Sequence, residues 1–232
     1  MRARIMADLD ALAMTAQRTG FGESGKLKLG VRLPPIGDPL RLLLNGWRQA
    51  YPEVVLSVYE MSDQELHSAI EKRILDVAFF LGESASRKIS TESLYREQLL
   101  AALHAEHRLC GREIVTWKDL CGETILVQDW PESHATRELY SNFIGIGATF
   151  SPHAAGKQSV LALVAASFGI TLAVKSQTQS QFPGVVFRPI HEPNAWLEVK
   201  LAWAAEAEDA VVGRFVACLR DGACLHASRS AG

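Results

Sequence analysis

The sequence predicts an α/β protein organised around parallel β-sheet, and three observations carry that expectation. Residues 26 to 81 alternate strand, helix, strand, helix and strand, the order in which crossover helices join parallel strands. From Leu99 to Pro189 a second series of short apolar strands alternates with helices. Of the 232 residues 48% are hydrophobic, enough for a sizeable core, while no apolar run approaches the roughly 18 residues of a membrane-spanning helix.

In chain order, Ile5, Leu9, Leu12 and Ala16 fall at helical spacing, with Arg2, Arg4, Asp8, Asp10 and Arg18 around the rest of the turn. This narrow apolar stripe ends at Gly20-Phe21-Gly22-Glu23-Ser24-Gly25, whose glycines read as a flexible joint. Lys26 to Val31 alternates as a strand. Asp38-Pro39 then starts a helix, aspartate suiting the cap and proline the first position, with Leu40, Leu43, Leu44 and Trp47 on one apolar face. Val54 to Tyr59 is β-branched and aromatic enough for a strand. Ser62-x-x-Glu65 has the form of a capping box and opens a helix through Leu66, Ala69, Ile70 and Ile74. Val77 to Leu81 is a continuous apolar run, as expected of a strand covered on both faces.

Further strands are expected at Leu99 to Leu103, Thr124 to Gln128, Ala148 to Phe150, Ile170 to Val174, Val185 to Pro189 and Leu197 to Ala204. A helix from about Lys157 to Ser167 buries Val160, Leu161, Leu163, Val164 and Phe168, with Gly169 placed to end it. Asp209 to Leu219 forms a last amphipathic helix on Val212, Phe215, Val216 and Leu219, and the tail after Gly222 reads as frayed.

Charge and motifs exclude several function classes. Lysine and arginine total 24 against 26 acidic residues, a net charge of −2, so no overall positive field attracts a phosphate backbone. Cys110, Cys121, Cys218 and Cys224 form no CxxC pair, and they read as free thiols of a reducing cytoplasm. Acids interrupt any signal-peptide core in the first ten residues. His104-x-x-His107 lacks a third ligand nearby, so the histidines read as structural and no metal is expected. Neither G-x-S-x-G, H-E-x-x-H nor a complete phosphate loop occurs, and Gly20-x-Gly22-x-x-Gly25 precedes a strand instead of following one, so no enzyme activity and no cofactor is expected.

A set of ordered fragments sharpens the expectation. They are Gly25-Lys26-Leu27-Lys28-Leu29-Gly30, Trp47-Arg48-Gln49-Ala50-Tyr51-Pro52-Glu53-Val54, and Leu66 through Ile74-Leu75-Asp76-Val77-Ala78-Phe79. Leu94 to Leu99 leads to His104-Ala105-Glu106-His107-Arg108-Leu109, then Trp117-Lys118-Asp119-Leu120 and Leu163-Val164-Ala165-Ala166-Ser167-Phe168-Gly169-Ile170. In order and spacing these resemble the effector-binding domain of LysR-type transcriptional regulators, over residues 1 to about 220. The chain departs from the family pattern at Arg32, where many relatives have a small or hydroxyl residue, at Lys175, and at His107-Arg108.

The resemblance implies a type 2 periplasmic-binding-protein-like fold of two Rossmann-like lobes joined by two crossover strands. Residues 1–25 would be a linker-helix remnant and joint, 26–99 plus 197–225 lobe one, and 100–196 lobe two, with the DNA-binding winged helix-turn-helix absent. It implies a cytoplasmic ligand-sensing domain that binds a small organic effector between lobes, acts as a homodimer or homotetramer, and meets DNA only through the missing domain. A solute-binding protein of a transporter shares the fold, and a small α/β enzyme on it is a further alternative. The enzyme would need partners for Asp38, Asp129 or His153 that the sequence does not offer.

Within that frame Arg32, with Leu33 beside it, follows the first strand, where a guanidinium can clamp a carboxylate in two parallel hydrogen bonds. A surface arginine or a partner for Asp38 is the equal alternative. Phe80 and Leu81 end the third strand, as cleft wall or as plain core. Gln128, Asp129 and Trp130 follow a lobe-two strand and offer a polar contact and an aromatic wall, or merely a packed turn. Lys157, Gln158 and Ser159 open a helix whose unpaired N–H groups suit an anion, or simply cap it.

Overall fold

The computed structural model describes residues 20–32, 37–81, 86–128, 135–145 and 147–230. The stripe through Ile5, Leu9, Leu12 and Ala16 lies outside the described residues. The chain divides into two compact units, the first of Met1–Met61, Glu65–Tyr95 and Val199–Gly232, the second of Ser62–Gln64 and Arg96–Glu198.

Unit one grows from the β-α-β-α-β run. Strand β1 (Ser24–Val31) pairs in parallel with β2 (Glu53–Glu60) on one side and β3 (Val77–Leu81) on the other, and β9 (Trp196–Ala204) adds antiparallel to β3. Helix α1 (Asp38–Ala50) joins β1 to β2. Gly37 is its N-cap, one residue before the expected aspartate, and Pro39 sits in the first turn, where its missing N–H costs nothing. Leu40, Leu43 and Trp47 are buried as their spacing predicts. Trp47 meets Phe215 edge-on with ring centroids 5.0 Å apart. Phe215 comes from α6 (Ala210–Ser230), which continues well past the expected end at Leu219 and through the tail after Gly222. There the helix lies so close to α1 that a Cβ on Gly222 would stand 2.6 Å from a methyl of Leu43.

Helix α2 (Asp63–Glu71) buries Leu66, Ala69 and Ile70. Ile74, expected on the same face, is exposed because the helix has ended: Arg73 takes φ 55°, and the amides of Ile74 and Leu75 both bond back to the Ala69 carbonyl. Leu75 fills the core position instead. Gly30 lets this helix sit down on β1, since a Cβ there would meet Leu66 and Leu75 methyls at 2.4 Å.

The chain enters unit two along β4 (Ile89–His104), one long strand of which the sequence shows only the apolar half from Leu99, and returns along β9. In unit two β4 carries β7 (Thr171–Val174) and β8 (Val185–Pro189), both antiparallel. Strands β5 (Thr124–Gln128) and β6 (Thr149–His153) pair in parallel, Gln128 opposite His153. The short α3 (Trp117–Leu120) precedes β5, and α4 (Ala135–Ile144) lies between β5 and β6. Helix α5 (Lys157–Ala165) follows β6 and buries Val160, Leu161 and Val164. It stops two residues before the expected Ser167, which itself takes φ 64°. Phe168, expected in the core, is therefore carried past the helix face and exposed.

Candidate functional site

In unit two the C-terminal ends of β5 and β6 and the N-terminus of α5 converge, the position at which parallel α/β architectures leave backbone donors unpaired. Gln128 ends β5 buried, only 4% exposed, and its amide donates to the Ala155 carbonyl over 3.3 Å. His153, its register neighbour, ends β6 with Nε2 at 3.2 Å from the Ser151 hydroxyl. Gly156 is the N-cap of α5 and has no side chain to cap the helix. Its extended conformation (φ −67°, ψ 163°) turns the chain from Ala155 into the first turn, where Gln158 and Ser159 are exposed. A carboxylate there would meet the positive end of the helix and a hydroxyl.

Lys157 behaves differently from its two neighbours. Its side chain is buried, and its ammonium donates to the Leu172 carbonyl, to the Thr171 hydroxyl at 3.1 Å and towards the Tyr140 hydroxyl at 3.5 Å. Tyr140 itself donates to the Leu172 carbonyl over 3.1 Å, and Thr171 to the Leu126 carbonyl over 2.7 Å. A buried ammonium is stable only when its protons find acceptors, and these oxygens provide them. The network ties the first residue of α5 to β5, β7 and α4. Lys157 thus faces inward beneath the helix start. Neither Tyr140 nor Thr171 stands out in the sequence, because each occupies an ordinary position of its helix or strand.

The remaining expected site residues are spread over both units. Arg32 is half-buried immediately after β1. Phe80 is buried among Leu66, Ile70 and Ala78, with its ring 4.3 Å from that of His67, so it forms core of unit one. Leu81 is the last residue of β3, opposite Val199. Leu33, Asp129 and Trp130 lie outside the described residues.

The histidine pair resolves into a structural motif. His107 Nδ1 accepts from the Leu109 amide at 3.2 Å, capping a short 3-10 turn, and its Nε2 stands 3.3 Å from a Glu123 carboxylate oxygen. The His104 ring packs edge-on against it at 5.1 Å. Among the described residues no group of three or more His, Cys, Asp or Glu is arranged to hold a metal ion.

Two α/β units, the chain passing from one to the other along β4 and returning along β9, have the type 2 periplasmic-binding-protein-like fold. Solved structures agree in fold. CbnR, a LysR family transcriptional regulator, superposes with TM-score 0.79 at 19% identity over 94% of this chain and 76% of that one. The BenM effector-binding domain with its effector benzoate gives 0.75 at 22% over 88% and 94%. The family model of the LysR substrate binding domain matches residues 21–224. The chain belongs to this family, the small-molecule-sensing part of LysR-type transcriptional regulators.

Two curated relatives from Escherichia coli strain K12 are similar along most of the chain. The HTH-type transcriptional regulator YnfL is 23% identical over 222 residues, 91% of this chain and 72% of its own length. The DNA-binding dual regulator OxyR is 26% identical over 195 residues, 82% of this chain. The chain thus spans 63% of the length of OxyR. Both relatives are transcriptional regulators. Among the described residues no helix is long and apolar enough to cross a membrane.

Proposed function

We propose that the chain senses a small organic anion, held at the first turn of α5 by Ser159, Gln158 and the backbone N–H groups, with Gln128 alongside. Arg32, at the end of β1, is the cationic group we ascribe to unit one. The observation that supports this most is the glycine N-cap of α5, which leaves the helix start without a side-chain cap beside exposed Gln158 and Ser159. Benzoate, the effector of BenM, is an anion of this class. Lys157 serves the site from below by fixing the helix start, and Leu33, Asp129 and Trp130 are further ligand contacts in this proposal. Phe80 and Leu81 support the adjoining strand end.

In this reading the response is passed through self-association to a DNA-binding part of the same cytoplasmic regulator. The isolated chain itself, at net charge −2, binds DNA negligibly. Sedimentation at tens of micromolar and a gel shift with operator-length duplex test the two statements: a strict monomer, or a sequence-specific shift, contradicts them.

The ligand test is a thermal-shift screen of monocarboxylates and dicarboxylates, followed by calorimetric titration of each hit and its amide. A charge-assisted hydrogen bond contributes about 1.5–3 kcal/mol, so Arg32→Ala weakens acid binding roughly ten- to a hundredfold and leaves amide binding unchanged. Equal affinity for acid and amide in both proteins rejects the anion.

A further inference from the structure

The glycine-rich segment that leads into β1 has the composition of a loose joint, yet unit one grips it. Gly22 is buried at φ 69°, and a Cβ there would stand 2.7 Å from the backbone of Ala210 and 2.8 Å from the Val211 nitrogen, at the start of α6. Gly25 lies against the same turn, where a Cβ would be 3.4 Å from a Val211 methyl. Asp209 holds that turn in place by accepting from the amides of Val211 and Val212 at 2.8 and 3.2 Å. One turn further along, Arg214 faces the segment with its whole guanidinium. Nε donates to the Phe21 carbonyl, one terminal nitrogen lies 3.9 Å from the Glu23 carboxylate, and the other reaches the Tyr51 hydroxyl at 3.4 Å. The guanidinium carbon sits 5.7 Å from the Tyr51 ring centroid, and Tyr51 stacks on Trp47 at 4.2 Å.

We propose that Arg214, with the Gly22 backbone contact, is a latch that makes residues 20–23 a rigid extension of unit one and so passes displacements of α1 and α6 to the polypeptide preceding residue 20. The guanidinium suits the task because its fixed fork engages a carbonyl, a carboxylate and an aromatic ring at once. An apolar contact alone would hold the segment without fixing its direction. Arg214 is a positioning residue in this role, touching no ligand. The inference does not depend on which effector the domain binds.

Chymotrypsin provides the test on the full 232-residue chain, because Phe21 is itself a cleavage site and its side chain is 54% exposed. The carbonyl of the bond to be cut is the one Arg214 holds, so cleavage requires the latch to open. Arg214→Ala should accelerate cutting between Phe21 and Gly22 about tenfold or more, while cutting after Tyr59 on the exposed strand β2 stays at the wild-type rate. Gly22→Ala, which attacks the latch from the other side, should release the same bond. A dye on the α-amino group gives the motional readout: the amplitude of fast anisotropy decay rises in both variants and slow tumbling is unchanged. Cleavage at Phe21 no faster than wild type, or equal acceleration after Tyr59, overturns the latch, as does an unchanged fast decay.

Discussion

At the centre of unit one, Leu27, Leu29, Trp47, Leu201, Phe215 and Leu219 pack as one apolar cluster. Unit two buries an apolar core as well, with Leu99, Leu103, Leu109, Leu120 and Ile125 almost wholly enclosed, but within it stand an ammonium, a phenol and a threonine hydroxyl bonded to backbone carbonyls. Apolar packing is roughly proportional to area and has no direction, so it stabilises unit one without fixing any single group finely. Hydrogen bonds are directional, and those of Lys157 register the start of α5 against α4 and β7, with Thr171 passing the tie on to β5. The difference is that the helix start we assign to the ligand is held by directional bonds in addition to apolar packing.

The largest effect that tests this comparison is Phe215→Ala. Phe215 is fully buried, and a cavity of that size costs about 3–5 kcal/mol, read as a fall in the urea midpoint followed by circular dichroism. A loss under about 1 kcal/mol, the range of a surface change, would mean that unit one does not depend on this cluster.

Lys157→Met keeps most of the stem but leaves the Leu172 carbonyl and two hydroxyls without their cation, a loss of about 1–3 kcal/mol. Hydrogen exchange locates it: amides of α5 should exchange faster while those of α1 do not change. Equal protection of α5 in the variant would show that the network does not hold the helix.

The smallest effect is a pH dependence confined to unit two. The Asp119 carboxylate lies below the ordinary value, chiefly because it accepts from the Thr116 amide at 2.9 Å; the Thr116 hydroxyl and Arg112 at 2.6 Å add to this against the opposing pull of burial. A carboxyl whose folded value is lowered stabilises the fold fully above its unfolded value, about pH 4, and that contribution is lost as pH falls through the folded value. Asp119→Asn should therefore cost up to about 1 kcal/mol at pH 7 and less at pH 2.5. Melting curves that differ equally at both pH values would assign the loss to packing.

Much of the fold was legible because its elements follow local rules. The helix through Leu40, Leu43 and Trp47, the run from Val77 to Leu81 and the helix start at Lys157 all lie where periodicity puts them. Errors fell where a neighbour distant in sequence decides the outcome. Nothing local shows that β4 begins at Ile89, since its first half alternates polar and apolar residues, or that α6 outruns Gly222 by lying on Leu43. Of the candidate site, the sequence marked Gln128 and the Lys157-Gln158-Ser159 turn but not the different directions of their side chains.

Composition and pattern by themselves determined an α/β chain with a parallel β-α-β-α-β start, and the order of its fragments determined the family. These properties survive in one dimension because apolar periodicity and turn chemistry are local. Tertiary structure alone decided that Lys157 turns inward onto the Leu172 carbonyl, that Phe80 is core, and that the glycines before β1 are clasped by Arg214. Each of those outcomes depends on groups 15 to 193 residues away in sequence or on another element's packing face, and a hydrogen bond between such groups exists only once the chain has folded.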